Sequence, residues 1–466
     1  MAVQIDYFAP IGWKPKNPDE DYLIAYFQIA LKDGIPQEKF KEVAATVAAE
    51  SSTGTWTEVD ESSNAGMDNA TKYRAVVFDI EEDQKRFKIA YPVNLFEPDN
   101  MSGMLAGFAG NIGGMKALKG MRLLDVRFPK KIVQSFPGPK FGIEGMRDML
   151  GHYDDLDDPL RKKMPIMGTV PKPKVGRTAE QQSALARELW TAGDFTYDFI
   201  KDDENLTSLE FNNFYDRARL VLDVQHDVEN MSKNKRFSLL NITHSNFEEL
   251  IRRAETIRDQ GGRFVMIDVV TTGFGMLHSY RNEDLGLAIH AHRAMHSFWT
   301  RHNSSDDKAE FDGFSVSMLV LAKIYRLLGV DSLHTGSPKA KMEDYGESDI
   351  IARTVSSSGI VEPDEKNLTL GQNWFGMKET WPVASGGLHP GVLDKVVEKL
   401  GPNIFIQLGG GVLGHPEGIR RGVEAALEAR KAIAAGEPIS EFVKKHQDSA
   451  LAVAVKEWGT EPRIVY

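Results

Sequence analysis

Between Pro165 and Gly410, short β-branched or apolar runs alternate with stretches of helical period, and this alternation narrows the fold more than any other feature of the chain. The runs are Pro165–Val170, Asp198–Glu204, Phe237–Thr243, Arg263–Val270, Leu287–Arg293, Asp331–Gly336, Pro382–Gly387 and Ile404–Gly410. Amphipathic segments such as Ala179–Ala192, Phe247–Gln260, Ser315–Leu328, Val392–Leu400 and Ile419–Ala434 separate them. Eight such units predict an α/β fold with a (β/α)8 TIM barrel, and a doubly wound open sheet is the competing arrangement. The barrel is expected over residues 138–466, closed by a tail helix at Ile439–Trp458. Residues 1–137 predict a smaller α+β domain, with strands at Tyr22–Leu31, Tyr73–Asp79 and Arg86–Val93 and helices at Gln37–Ser51 and Met101–Leu118. Pro137-Gly138-Pro139 punctuates the chain between the two.

Composition removes several function classes. A chain of 466 residues, 41% hydrophobic, has enough apolar matter for a large core and a second domain. Its 56 Lys and Arg against 67 Asp and Glu leave a net charge of −11, which argues against a nucleic-acid surface. Without cysteine there is no disulfide, zinc–thiolate site or cysteine nucleophile. The start, Met1-Ala2-Val3-Gln4-Ile5-Asp6, lacks the regions of a signal peptide, and no window approaches a membrane span. A cytoplasmic protein is expected.

Chemically capable residues gather where the strands should end. Lys172 and Lys174 follow the first run, and Lys201-Asp202-Asp203-Glu204 closes the second. Asn241 and His244 end the third, and His290, His292, Arg293 and His296 the fifth. His334 ends the sixth, Ser385-Gly386-Gly387 the seventh and Gly409-Gly410-Gly411 the eighth. A barrel brings all these ends to one rim, where barrel enzymes carry their sites. Alternation puts Lys201 and Asp203 on one strand face with Glu204 at the turn, so oxygen ligands can converge on a hard cation such as Mg²⁺; an internal salt bridge is the alternative. The two glycine turns, with Arg293 and His334, suit phosphate groups at opposite sides of the mouth, since glycine lets backbone N–H groups approach the oxygens. From residues alone, the reading is a Mg²⁺-dependent enzyme acting on a sugar with one or two phosphates, with lysines and histidines available for proton transfer.

The segments Gly168-Thr169-Val170-Pro171-Lys172-Pro173-Lys174-Val175-Gly176, Phe199-Ile200-Lys201-Asp202-Asp203-Glu204-Asn205, His290-Ala291-His292-Arg293-Ala294-Met295-His296 and Ser385-Gly386-Gly387-Leu388-His389-Pro390 resemble the large subunit of ribulose-1,5-bisphosphate carboxylase/oxygenase (Rubisco). So do Gly409-Gly410-Gly411-Val412-Leu413-Gly414-His415-Pro416 and Ala49-Glu50-Ser51-Ser52-Thr53-Gly54-Thr55-Trp56. The likeness spans the chain in order and is closest to the archaeal-type form III branch, associated with nucleotide (AMP) salvage as well as carbon fixation. It implies that Lys201 takes up CO₂ as a carbamate, joins Asp203 and Glu204 on Mg²⁺, and then accepts the substrate's C3 proton. Lys172 would serve as acid/base for the product carbanion, with Lys174 its neighbour and His292 near the metal. Arg293 and His334 would contact one phosphate and Gly409 and Gly410 the other, while Ser385, Gly386 and Gly387 bind substrate. Lys341 would close over the new carboxylate. Glu50, Thr55, Trp56 and Asn111 would complete the site of a neighbouring subunit, which implies a homodimer or a higher oligomer of dimers, with no small subunit. His290 and His296 are as readily core histidines. The implied reaction joins ribulose 1,5-bisphosphate to CO₂, with oxygenation by O₂ as a side reaction.

Two places depart from the family pattern. Ala340 stands directly before Lys341 where glycine is usual, within Gly336-Ser337-Pro338-Lys339-Ala340-Lys341-Met342-Glu343, and proline and alanine should stiffen that loop. Lys339 is a rival for the lysine's role there. Val170 replaces a threonine common in relatives. The alternative functions are a Rubisco-like enolase of methionine salvage, against which Lys172, Lys341 and Glu50 weigh, and a non-catalytic phosphosugar-binding protein.

Overall fold

The computed structural model describes residues 6–54, 66–151, 164–193, 197–232, 234–302, 312–337 and 346–461. They form two compact units. The first comprises Met1–Pro137, Met295–Leu327 and Ser357–Met377; the second comprises Gly138–Ala294, Leu328–Ser356 and Lys378–Tyr466.

The first unit is built on five strands: β1 (Tyr22–Leu31), β2 (Val76–Glu81), β3 (Arg86–Pro92), β4 (Leu118–Arg127) and β10 (Gly313–Val316). The sheet order is β10-β4-β1-β3-β2, antiparallel except for the β10–β4 pair. The chain beyond residue 295 joins this unit through the β10–β4 pairing and a buried ion pair. Lys323 Nζ lies 2.6 and 2.9 Å from the two oxygens of Asp125 on β4, and it also donates to the carbonyls of Val126 and Gly371. The N–H groups of Val126 and Leu370 donate to the same carboxylate, so it is satisfied from three separate segments.

Sequence periodicity misplaces several boundaries here. The helix expected over Met101–Leu118 ends at Phe108, because Gly110 and Gly113-Gly114 turn the chain into a short 3₁₀ segment at Asn111–Gly114. Leu118 begins β4, a strand the pattern did not separate from that helix; it is buried at eight of its ten positions and so lacks alternation. The segment expected as helix from Ser315 opens as β10, and its helix runs Met318–Leu327. Tyr73 belongs to the turn after a short helix, Met67–Lys72, and β2 starts at Val76.

The second unit is the barrel, with β5 (Ile166–Thr169), β6 (Phe199–Lys201), β7 (Phe237–Leu239), β8 (Phe264–Asp268), β9 (Ala288–His292), β11 (Ser332–His334), β14 (Trp381–Ala384) and β15 (Phe405–Leu408). The short strands β12 (Ile360–Val361) and β13 (Gln372–Asn373) pair with each other in the first unit. The eight barrel strands run parallel in the order β7-β6-β5-β15-β14-β11-β9-β8. A parallel bridge from Asn241 to Met266 joins the two ends, so the sheet closes. The chain is an α/β protein with a (β/α)8 barrel, and the open doubly wound alternative falls.

Period-two alternation explains the interior. Ile166, Phe199, Phe237, Phe264, Trp381 and Phe405 fill one end as a single apolar cluster. Their rings pack closely, Phe237 stacked on Phe264 at 4.4 Å and Trp381 edge-on to Phe405 at 4.7 Å. A side chain on Gly168 would lie 2.3 Å from the Phe199 ring, so that strand position must be glycine for the aromatic to fit. Helix Gly142–Met149 packs Ile143 and Met146 on the cluster, and its Arg147 stacks over Trp381. The tail is two helices, Ile439–Lys445 and Ala450–Trp458; the chain turns after His446, and Ser449 caps the second by accepting from the Ala452 N–H.

Replacing Lys323 by Met should cost the first unit about 3–5 kcal/mol, because Asp125 is left buried without its ammonium partner. Urea unfolding of the whole chain should show that loss, and an added Asp125→Asn change should recover part of it, since it removes the buried acid while its one amide oxygen still accepts from one of the two N–H groups, Val126 or Leu370.

Candidate active site

On four of the barrel strands the inward face turns polar two residues past a member of the apolar floor. Phe199 is followed by Lys201, Phe405 by Gln407, Met266 by Asp268, and Ala288 by His290 and then His292. Lys201 is 1% exposed, and its Nζ donates to the Asp202 carbonyl at 2.8 Å. Burial pushes its ammonium below the ordinary lysine value, against the opposing pull of Asp268, Asp203, Glu204 and Asp202. The strand ends at Lys201, so Asp203 and Glu204 lie in the turn beyond it.

Lys172 Nζ donates to Asp203 Oδ2 at 2.8 Å, while Lys174 bonds Glu204 and lies 3.8 Å from Asp203. A half-buried lysine head, Lys172, and an exposed one, Lys174, thus sit on the two carboxylates. Burial raises the Glu204 carboxyl, but the Lys174 hydrogen bond and the neighbouring N–H, His292 and Asp203 groups outweigh it and bring it to about 2. The Lys174 ammonium is raised chiefly by the same Glu204 bond.

His292 Nδ1 lies 2.8 Å from Asp268 Oδ1 and its Nε2 lies 3.9 Å from Glu204 Oε2. Burial first, then the Lys201 charge, holds the ring below the ordinary histidine value. In its neutral form the ring carries its proton on Nδ1, given to Asp268, and turns a bare Nε2 towards Glu204. His334 stacks edge-on against His292 at 4.6 Å, and its Nδ1 is 3.0 Å from Ser385 Oγ. Arg293 lies against Gly336, whose Cβ would come 3.0 Å from its guanidinium. Gly386 and Gly387 both take positive φ, at 105° and 79°, a double turn that L side chains rarely adopt. Gly409 lies against Lys172, and Gly410 faces open space.

The barrel thus brings together Lys172, Lys174, Lys201, Asp203, Glu204, His292, His334 and Ser385, and it sets Gly409 beside Lys172. His290 joins them from below, fully buried. His244 is taken up locally, accepting from the Asn246 N–H at a helix start. His296 falls in the first unit and bonds Thr300. Glu50, at the end of helix Phe40–Glu50, and Asn111 are exposed on the first unit, on neighbouring elements. Thr55, Trp56, Lys341 and its rival Lys339 lie outside the described residues.

Three supporting residues escaped the sequence reading. Asp268 closes β8 and also accepts from Asn241 Nδ2 at 3.1 Å. It follows Phe264-Val265-Met266-Ile267, and a carboxylate ending so apolar a run was its signal. Asp202 pairs at 3.0 Å with Arg217, which is fully buried and also donates to carbonyls of Leu206, Thr207 and Asn212, so one guanidinium holds the whole turn after Lys201. Nothing in spacing alone links position 202 to 217. Arg177 similarly grips the Lys172 carbonyl at 2.6 Å.

This combination of a closed parallel barrel and a lysine–diacid rim is that of the Rubisco large chain. Residues 142–458 match the catalytic domain of the ribulose bisphosphate carboxylase large chain, and residues 13–132 match its N-terminal domain. The chain belongs to that family. It is 43% identical to a ribulose bisphosphate carboxylase of Methanocaldococcus jannaschii, over 91% of this chain and 95% of the relative. It is 41% identical to one from Archaeoglobus fulgidus, over 96% of both. A crystal structure of an archaeal Rubisco superposes with a TM-score of 0.85 at 40% identity, over 97% of this chain and 99% of the other. A dimeric Rubisco from Hyperthermus butylicus gives 0.83 at 35% identity, over 98% of each, and an octameric one from Pyrococcus horikoshii gives 0.81 at 36%, over 97% and 96%.

Glu204 titrates at about 2 in the fold against an ordinary 4.5, so it stabilises the protein above pH 4.5 and that contribution is lost as pH falls towards 2. In the metal-free protein, Lys174→Met should move the Glu204 midpoint upward and shrink that acid-range loss. Carboxyl ¹³C titration with urea unfolding across the acid range checks both.

Proposed function

We propose that the mouth of the barrel carboxylates ribulose 1,5-bisphosphate to two molecules of 3-phosphoglycerate, with O₂ competing for the same intermediate. The observation that carries this reading is the buried Lys201 amine beside Asp203 and Glu204. Burial lowers the Lys201 ammonium and so makes its neutral form easier to reach, and a neutral amine can attack CO₂, giving a carbamate and releasing a proton. Among the described residues no group of three His, Asp or Glu side chains is arranged to hold a metal ion. The proposal therefore takes the third oxygen donor from the Lys201 carbamate, beside the carboxylates of Asp203 and Glu204. The donor set is all oxygen and suits Mg²⁺, and the two lysine heads now on those carboxylates mark where positive charge is favoured. Mg²⁺ bound there would polarise the substrate carbonyl and stabilise the oxyanion formed on enolisation.

The chain's own groups supply the remainder. Loss of the C3 proton gives an enediol whose C2 attacks CO₂; hydration and cleavage between C2 and C3 follow. Lys172 Nζ, at the rim beside Gly409, is placed to protonate the product carbanion. His292 presents a bare Nε2 that can accept a proton or a substrate hydroxyl. Arg293 and the backbone of Gly386-Gly387 and Gly409-Gly410 would hold the phosphates. Lys341 is proposed to meet the new carboxylate. Glu50, Asn111, Thr55 and Trp56 are proposed to reach the site of a second copy, so the working form is a homodimer or an assembly of dimers, in keeping with the dimeric and octameric relatives. No helix among the described residues is long and apolar enough to cross a membrane, and the proposed setting is the cytoplasm, in carbon fixation or nucleotide salvage.

Preincubation with CO₂ and Mg²⁺ should raise the rate at which labelled bicarbonate enters acid-stable product. Lys201→Ala should abolish both activation and turnover; near-normal carboxylation in that variant would refute the metal assignment. Subunit sharing has its own check. Mixing inactive Glu50→Gln protein with inactive Lys201→Ala protein should restore part of the activity through hybrid dimers, and no recovery after demonstrated subunit exchange would mean that each site is built within one chain.

A further inference from the structure

Below the rim, five side chains form one connected line of hydrogen bonds that the scheme above leaves unused. Gln407 on β15 reaches across the barrel, its Nε2 lying 3.1 Å from His290 Nε2 on β9. The same His290 nitrogen lies 3.1 Å from His334 Nε2 on β11. The other His290 nitrogen, Nδ1, is 2.9 Å from Ser332 Oγ, and His334 Nδ1 is 3.0 Å from Ser385 Oγ. Gln407, His290, His334 and Ser332 are all at most 4% exposed, so water is not available to correct a mismatched donor or acceptor.

The line has a direction. An amide nitrogen only donates, so His290 must be bare at Nε2 and carry its proton on Nδ1, which it gives to Ser332. The one lone pair of His290 Nε2 is then shared between two donors, the Gln407 amide and His334 Nε2–H. His334 is then bare at Nδ1, and the contact with Ser385 requires the serine hydroxyl to donate inward. The opposite direction would need a glutamine oxygen facing His290, a proton on His334 Nδ1, and Ser385 accepting from it. Both rings are neutral in either case: burial, assisted by the neighbouring positive groups, pushes each well below the ordinary histidine value.

We propose that Gln407 and His290 are positioning residues that fix the tautomer of His334, so that Ser385 commits its proton inward and offers only oxygen lone pairs to whatever binds in the mouth. Such a serine favours a ligand donor and disfavours an anionic oxygen at that point, while the N–H groups of Gly386 and Gly387 beside it favour the anion. The polarity of a contact at the rim is thereby set by an amide on the far side of the barrel. The functional consequence rests on the carboxylase reading; the tautomer does not.

Magic-angle-spinning NMR of ¹⁵N-histidine protein, with the His334 signal assigned by its loss in His334→Asn, should show a protonated Nε2 and a bare Nδ1. Finding the proton on Nδ1 in the unaltered protein overturns the proposal without recourse to any variant. Gln407→Glu replaces the donor by an acceptor, and it should move the His334 proton to Nδ1 and raise the KM for ribulose 1,5-bisphosphate by about tenfold, the worth of one hydrogen bond, with a smaller change in kcat. Gln407→Met, which keeps the bulk without the amide, should give an intermediate KM. An unchanged tautomer and KM in the glutamate variant would also overturn it. If the tautomer is as stated but the unaltered protein turns over no substrate, the carboxylase reading fails and the positioning role stands.

Discussion

A lysine amine enclosed in a barrel has to be answered by its surroundings, and most of the rim is that answer to Lys201. Desolvation disfavours its charge, and Asp268, Asp203, Glu204 and Asp202 favour it, with burial the larger effect. Each of those acids is itself restrained: Asp203 by Lys172, Glu204 by Lys174, Asp202 by Arg217 and Asp268 by His292 and Asn241. The cluster is a set of mutually dependent charges in low dielectric, and removing one member leaves its partner exposed to the full desolvation cost.

Strand alternation makes this arrangement possible without disturbing the core. On one inward face, Phe199 and Lys201 are two residues apart, as are Phe405 and Gln407 and Met266 and Asp268. The aromatic floor supplies the rigidity, and the polar layer sits directly on it; the His290 ring stacks almost parallel to Phe405, at 14°. A hydrogen-bond line through His290 and Gln407 can hold its direction because the side chains beneath it are closely packed.

The sequence made the barrel legible, since alternating runs with capable residues at their ends need no tertiary information to read. The same is true of Lys172, Lys201, Asp203, Glu204 and His292, which lie in contiguous motifs. Residues that act across the fold were not legible. Arg217 meets Asp202 from a helix, and Gln407 meets His290 across the barrel; only closure of the sheet pairs them. In the first unit, β4 was hidden because a strand buried on both faces has no alternation, and β10 was hidden because its pairing with β4 joins residues 313 and 120. The tail was read as one helix because the period continues across residues 446–449, where the Ser449 cap starts it afresh.

The route of the chain through the first unit bears on how the protein can be divided. A fragment ending at Pro137 would follow the obvious punctuation, yet it would lack β10 and the segments that carry Lys323 and Gly371. Its sheet would present the bare edge of β4, a template for pairing with other chains, and Asp125 would be left without its ammonium partner. A well-behaved excised domain would therefore have to be stitched from three pieces of sequence, and one terminated at the proline-glycine-proline turn would be prone to self-association.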